Sequence, residues 1–233
     1  MRFFRRLLIT VVVLALLAVA ADRVAAWAFE RSFAHEATAQ SDARDVSAKI
    51  HGFPFLTQLW SGSLDDVTVR AGSASFGGTT VTDVDVEGSG VSLTSPYVVD
   101  DGTVEATVPV SALEQQVAAR SKADVTIEAT DDGLVATTKV LGIGVGLVLE
   151  PKVTDGALAV DVKAAKVAGA TVSADSLPGG LASTVDGLKV PLDLPDGVTL
   201  TGADVVPASG GSEGGIRATA TGKGVALEHL ASS

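Results

Sequence analysis

The sequence predicts an α+β fold in which a curved antiparallel β-sheet is wrapped against two or three helices. From Ser63 to Val110, apolar and polar residues alternate with a period of two, which is typical of half-buried strands with one wet face. Turn-forming glycine and aspartate residues separate these runs. Helical patterns do not fall regularly between strands, so a parallel α/β sheet is not expected.

The N-terminal segment predicts export from the cytoplasm. Three arginines precede the apolar run Leu7–Ala21, and a basic segment before a short apolar run is the layout of a secretory signal. The run is shorter than the roughly 18–20 apolar residues of a spanning helix. Trp27, placed to lie at a membrane interface, leaves a retained anchor as the alternative. The predicted organisation is a signal peptide or anchor over residues 1–26 and one domain over residues 27–233.

An alanine-rich segment, residues 22–48, follows the apolar run. Its larger apolar side chains, Val24, Trp27 and Phe33, recur at a spacing that predicts an amphipathic helix. We expect this helix to pack on the core through that apolar face. A membrane-proximal stalk is the alternative.

The most distinctive segment of the chain is Ile50–Gly62. It holds three of the ten aromatic residues, which are seven Phe, two Trp and one Tyr. Gly52 permits backbone angles that other residues avoid, and Pro54 biases the residue before it toward extended geometry. We therefore predict that Phe53 and Phe55 project from an extended backbone and not from a helix.

Two further helices are predicted in the body of the chain. A capping box, in which Glu114 lies three residues after Ser111, predicts a helix over Ser111–Arg120. Leucine and valine at helical spacing predict another over residues 181–188. A turn at Leu194–Gly197 precedes the last strand pair. In total we expect about eight to ten short strands.

Composition and charge exclude several classes of function. The chain has no cysteine, which excludes disulfides and thiolate metal sites. The net charge is −11, so neither a nucleic-acid partner nor broad electrostatic adhesion to anionic lipid is expected. Asp83, Asp85 and Glu87 suggest calcium ligands, but a solvated strand face explains them more simply. No metal and no cofactor is predicted.

Catalytic motifs are also missing from the sequence. His35, His51 and His229 are far apart, and no Gly-x-Ser-x-Gly elbow, His-Glu-x-x-His helix or phosphate loop occurs. A triad assembled from distant residues leaves a hydrolase as a third possibility. We expect that the protein is not an enzyme.

Two apolar features are candidate sites. Alternation in the stretch after Leu141 places three glycines on one strand face, which allows a helix, a lipid chain or a bulge to approach the backbone. The apolar residues around Pro54 either anchor the sheet to the first helix or line an apolar pocket, with Trp60 at a lipid–water boundary. The candidate lipid-binding residues are Phe53, Phe55, Leu56, Leu59, Trp60, Gly142, Gly144 and Gly146.

Part of this segment resembles a known family motif. The matching residues are Gly52, Pro54, Phe55, Leu56, Thr57, Gln58 and Gly62. They are similar to the opening motif of the LmeA-like phospholipid-binding proteins, a family of secreted actinobacterial proteins. The resemblance implies an elongated domain similar to the tubular lipid-binding folds, and a role in envelope lipid or lipoglycan assembly such as mannan elongation.

The sequence thus predicts an exported, non-enzymatic phospholipid-binding protein of the cell envelope or periplasmic space. Its expected partners are phospholipid and a membrane surface, or a membrane reached through an anchor over residues 7–21. The acyl chains would lie in an apolar groove formed by the sheet and the helices. The alternative is a secreted β-rich adhesion or scaffold domain that binds no small molecule.

Overall fold

The computed structural model describes residues 2–40, 42–76, 78–120, 125–140, 143–167, 170–173, 188–190, 194 and 196–226. These residues form three helices and twelve strands, and their strand pairings are antiparallel. The predicted α+β class is confirmed. The helices are α1 (Arg2–Gln40), α2 (Phe55–Ser61) and α3 (Val110–Arg120), and the strands are β1 (Ser47–His51), β2 (Ser63–Phe76), β3 (Thr79–Ser92), β4 (Val98–Pro109), β5 (Val125–Thr130), β6 (Gly133–Val140), β7 (Ile143–Thr154), β8 (Ala157–Val167), β9 (Ala170–Ser173), β10 (Leu188–Val190), β11 (Val198–Val206) and β12 (Gly215–Ala226).

The predicted eight to ten strands are too few. Strands β9 and β10 have four and three residues, which is too short for a periodic pattern to show in the sequence. At the other extreme, β2 and β3 have 14 residues each. Strand length is therefore set by pairing across the sheet as well as by local composition.

The first sheet has the strand order β1-β2-β3-β4-β12-β11. Side chains alternate between its two faces, as in any strand. Val86 pairs with Val104 on one face, whereas Glu87 pairs with Thr103 on the other. We call the apolar side the inner face and the polar side the outer face.

A bulge interrupts this alternation in β3. Asp83 has a left-handed φ of 51°, and the register between β3 and β4 shifts beside it. The extra residue lets Val81 and Val84 both enter one core cluster together with Ala71. The simple alternation predicted for this stretch is therefore wrong at Asp83.

The second sheet has the order β10-β8-β7-β6-β5, with β9 paired to β8. Helix α3 leads from β4 of the first sheet to β5 of the second. The last hairpin returns to the first sheet, where β12 pairs with β4 and β11 packs against β7. A core cluster fills this junction and contains Val110, Ile127, Ala129, Leu134 and Ile216.

Helix α1 is continuous over 39 residues and runs from the basic N-terminus into the domain. Its segment Val11–His35 is long and apolar enough to cross a membrane, and an 18-residue window within it has a mean hydropathy of 2.0. Such a helix is compatible with a signal peptide or an anchor. The helix ends at Gln40 and residues 47–48 already belong to β1, so the predicted helix over residues 22–48 is too long.

The predicted buried face of α1 is wrong. Val24, Trp27 and Phe33 are all exposed, whereas Ala26 is buried and Phe29 packs beside it in a cluster with α2 and the first sheet. Small alanines allow the domain to approach the helix closely. Glu30, on the same side as Phe29, accepts a hydrogen bond of 2.8 Å from a backbone N–H of β1.

The other helix predictions have mixed outcomes. Helix α3 is confirmed, but the capping box is wrong, because the Ser111 hydroxyl donates to Glu213 and Glu114 accepts from the backbone N–H of Ile127. Of the helix predicted over residues 181–188, only Leu188 lies within the described residues, and it begins β10.

Candidate functional site

Helix α2 occupies the segment that the sequence singled out, and the extended geometry predicted for Phe55 is wrong. Pro54 is the N-cap residue, with φ −79° and ψ 141°, and Phe55 begins the helix. A proline restricts the residue before it but is well suited to the start of a helix. Gly62 ends the helix in the left-handed conformation with φ 75°, a position that favours glycine.

The cap of α2 comes from another helix. Pro54 offers no side-chain oxygen to the free N–H groups of the first turn. Asp22 of α1 fills that role, because its Oδ1 accepts a hydrogen bond of 2.8 Å from the Leu56 N–H. Its Oδ2 lies 2.8 Å from the Arg23 guanidinium, and the Asp22 side chain is buried. Helix α2 is thus fixed to α1 by a polar contact at its own N-terminus.

Replacing Asp22 with alanine should lower the free energy of unfolding by about 1–2 kcal/mol, the usual effect of losing a helix N-cap. Hydrogen exchange at the Leu56 amide should speed up, since its acceptor is lost. Asp42→Ala, at an exposed aspartate beyond α1, is the control. Unchanged exchange at Leu56 in the Asp22 variant would show that the cap is not needed.

Gln58 fastens α2 to the sheet. Its side chain is buried, donates to the His51 carbonyl at 3.1 Å and accepts from the Asp65 N–H at 2.9 Å. Gly52 has φ 94°, and a Cβ atom there would lie 2.5 Å from Gln58 Nε2. Glycine at position 52 is therefore required both by its backbone angle and by the closeness of Gln58.

The apolar residues predicted around Pro54 are divided between two sides of α2. Phe55 is 2% exposed and packs on Phe29 with ring centroids 5.7 Å apart. The others point outward, with exposed fractions of 60% for Phe53, 45% for Leu56, 44% for Leu59 and 94% for Trp60. The segment therefore combines one core anchor with an exposed apolar surface.

Two of the three predicted glycines lie apart from α2. Gly142 lies outside the described residues, and Gly144 and Gly146 are on β7 of the second sheet. Open space surrounds the missing side chain of Gly144. A Cβ atom added at Gly146 would lie 3.4 Å from Thr137 and 3.5 Å from Lys166, so this glycine is closely surrounded. The structure does not bring Gly144 and Gly146 together with α2, which packs on α1 and β2.

Sequence reasoning missed an apolar row on the inner face of the first sheet. Val69, Val86, Val104 and Ala220 are paired in register across β2, β3, β4 and β12, and we call them the apolar band. All four are half-buried. Their alternation was visible in the sequence, but the register that aligns four strands was not.

Comparison with protein families matches residues 20–211 to the LmeA-like phospholipid-binding family. The chain belongs to this family. The match begins just before Asp22, the residue that caps α2, and it includes the whole of that helix. Comparison with curated proteins and with solved structures gave no match.

The outer face of this LmeA-like protein has a different character from the apolar band. A groove of about 610 Å³ crosses β2, β3, β4 and β12, and Gly88, Gly102 and Gly222 are paired along its floor. Carboxylates line it, and one of them, Asp101, lies 3.3 Å from Lys223. Such a groove suits water or a polar molecule and not an acyl chain.

An ion pair between Arg70 and Asp85 lies elsewhere on this outer face. Asp85 accepts a hydrogen bond of 2.5 Å from Arg70 Nε, and this bond raises the pKa of Arg70 above its usual value. Within the described ranges, no group of three or more His, Asp or Glu side chains is arranged to hold a metal ion. Of the acidic residues on β3, Asp83 and Glu87 are exposed, whereas Asp85 is paired with Arg70 through Oδ2 and its Oδ1 is buried.

Two of the three histidines, His35 and His51, lie within the described residues. His35 is exposed on α1, and His51 lies on β1 with its Nε2 3.1 Å from the Thr68 hydroxyl. His229 lies outside the described residues. The LmeA-like family is defined by lipid binding and is not a known enzyme family.

Proposed function

We propose that this LmeA-like protein is exported and binds phospholipid with its acyl chains against the inner face of the first sheet. Membership of a phospholipid-binding family is the observation that carries the proposal. The apolar helix α1, compatible with a signal peptide or an anchor, supports export. The proposed role is to shield lipid during assembly of envelope lipid or lipoglycan, including mannan.

The apolar band is the best candidate for the acyl-binding surface. Its four side chains contribute no polar group, and their half-buried state leaves apolar area that a lipid chain can cover. Each methylene removed from water contributes roughly 0.8 kcal/mol, so several are enough to hold a chain that must also be released. Val67, two residues before Val69 on β2 and partly buried, extends the apolar surface toward the cluster that contains Phe55 of α2.

The predicted lipid-binding residues have different roles in this proposal. Phe55 supports the site from the core, since it is covered by α1 and the sheet. Phe53, Leu56, Leu59 and Trp60 lie at the edge of the domain, where lipid would enter. Gly144 on β7 remains a second candidate contact, with open space beside it.

Photolabelling tests the proposal directly. The full-length chain is reconstituted into vesicles that contain a phospholipid with a photoreactive group at the end of one acyl chain, and labelled peptides are mapped by mass spectrometry. We expect labels on the inner face at Val86 and Val104 but not at Glu87 and Thr103, their neighbours on the outer face.

Labelling confined to α1 and α2 would contradict acyl binding by the sheet. In that case a β-rich adhesion or scaffold domain that only rests on a membrane becomes the better interpretation. The acidic outer face would then be the surface to examine for a partner.

A further inference from the structure

Two exposed apolar surfaces meet at one place in this protein. Every described side chain from Val11 to Ala21 of α1 is exposed, and this stretch lies within the segment long and apolar enough to cross a membrane. Asp22, directly after it, is the residue that caps α2. The domain therefore begins where the bare part of the apolar helix ends, and α2 lies at that junction.

Phe53 and the apolar side chains of α2 other than the buried Phe55 point outward at the same junction. Phe53, Leu56, Leu59 and Trp60 are exposed by between 44 and 94%. Arg23, the second residue after the bare apolar stretch, holds this segment, because its guanidinium bonds the Gly52 carbonyl at 3.2 Å and lies 5.2 Å from the Phe53 ring centre. The α2 surface is thus fixed beside α1 by contacts of both Asp22 and Arg23.

The outward stripe of α1 continues past this point and then changes character. Val24 and Trp27 are 64% and 58% exposed, and the Arg31 guanidinium lies 5.5 Å from the Trp27 ring centre. A change from aliphatic residues to tryptophan and then arginine is typical of a helix leaving a bilayer. Arginine reaches the polar head groups while its stem stays in apolar surroundings.

We infer that the outward side chains of α2 and of Phe53 before it form a bilayer-binding surface that lies in the lipid–water interface. The surface consists of Phe53, Leu56, Leu59 and Trp60. Val24 and Trp27 are exposed on a side of α1 turned away from the buried Ala26, and they would enter the same interface there. Tryptophan and phenylalanine are suited to this depth, because their large apolar rings are stable in a region that is partly hydrocarbon and partly hydrated.

A bilayer fits this surface better than a protein partner does. The surface is continuous with the bare apolar helix, so whatever covers one must adjoin what covers the other. The net charge of −11 provides no broad attraction to anionic lipid, and apolar insertion needs none. Binding should therefore occur on neutral phosphatidylcholine vesicles and resist high salt.

This surface deepens the proposed function, on which its role in lipid exchange rests. Phe55 and Leu64 join α2 to the first sheet in one apolar cluster that also contains Val67. Lipid taken from the bilayer at α2 would thus meet the inner face next to the apolar band. Membrane contact itself does not require that any lipid be carried there.

The chain has two tryptophans, so the depth of Trp60 can be measured in the full-length protein. Trp27→Phe leaves Trp60 as the reporter after reconstitution into phosphatidylcholine vesicles. With phosphatidylcholine brominated near the head of the acyl chain, we expect Trp60 to lose most of its emission and to emit at shorter wavelength than in water. Emission that stays water-like and unquenched would overturn the inference.

The control places a reporter on the second sheet. In a Trp27→Phe, Trp60→Phe background, Asp132→Trp sits on the exposed turn between β5 and β6 and should remain unquenched. Leu56→Glu with Leu59→Glu should reduce Trp60 quenching while the circular dichroism spectrum stays unchanged. A Trp60 shielded by protein and not by lipid, with emission that depends on protein concentration, would instead identify a second copy of the chain and refute bilayer contact.

Failure of this test can be separated from failure of the proposed function. An unquenched Trp60 with acyl labelling at Val104 would refute the docking surface and leave lipid binding in place. A quenched Trp60 without such labelling would do the reverse.

Discussion

Replacing Phe55 with alanine is expected to lower the free energy of unfolding by about 3–5 kcal/mol, the range found for removing a phenylalanine from a protein core. The side chain is almost fully buried and joins α1, α2 and the first sheet. Its contact with Phe29, at 5.7 Å between ring centres, would be lost as well. Urea unfolding of the full-length chain in a mild detergent, followed by circular dichroism, measures the change.

Phe53 provides the matched control for this experiment. It is the same residue type two positions earlier, but it is mostly exposed and its ring faces the Arg23 guanidinium. Phe53→Ala should change the free energy of unfolding by no more than about 0.5 kcal/mol, as surface substitutions usually do. Equal effects of the two substitutions would mean that α2 does not pack as described.

The contrast between Phe53 and Phe55 shows where sequence reasoning reached its limit. The sequence identified the segment and its apolar character. It did not show that a helix begins after Pro54, because a proline biases the residue before it toward extended geometry and is equally compatible with a helix that starts there. The cap that completes this helix comes from Asp22, which is 34 positions away, and no local pattern reveals such a partner.

Helix α1 shows a second limit. Its helical character and its apolar N-terminal part were visible in the sequence, but its end at Gln40 was not. The side that packs on the domain was predicted from side-chain size, whereas the structure uses Ala26 and Phe29 there and exposes Trp27. The small side chain of Ala26 permits close packing of α1 on the domain, whereas the large Trp27 is exposed. Side-chain size alone therefore did not identify the buried side.

The strands were the most predictable part of the fold. Except at the Asp83 bulge, alternation over β2, β3 and β4 identified which residues share a face, since side chains in a strand point to opposite sides in turn. It did not give the register that places Val69, Val86, Val104 and Ala220 in one row. The candidate acyl surface is a property of that register, which is why it became visible only in the structure.

That register makes a sharp functional experiment possible. Val104→Asp places a carboxylate in the middle of the apolar band, and Thr103→Asp places one on the next residue, on the outer face. Both side chains are half-buried, so the two variants differ mainly in the face that carries the charge. Burying an unpaired carboxylate against an acyl chain costs several kcal/mol, and each 1.4 kcal/mol corresponds to about a tenfold change in affinity.

Val104→Asp should therefore reduce acyl photolabelling of the full-length chain by at least about tenfold, since the charge costs more than 1.4 kcal/mol. Thr103→Asp should leave labelling close to that of the unchanged protein. Circular dichroism checks that both variants are folded, and Val104→Thr, which adds a hydroxyl at similar volume, provides a milder test if the aspartate variant unfolds. Equal labelling of the folded Val104 and Thr103 variants would show that the acyl chains do not bind to the inner face, because a carboxylate in contact with a hydrocarbon chain must weaken its binding.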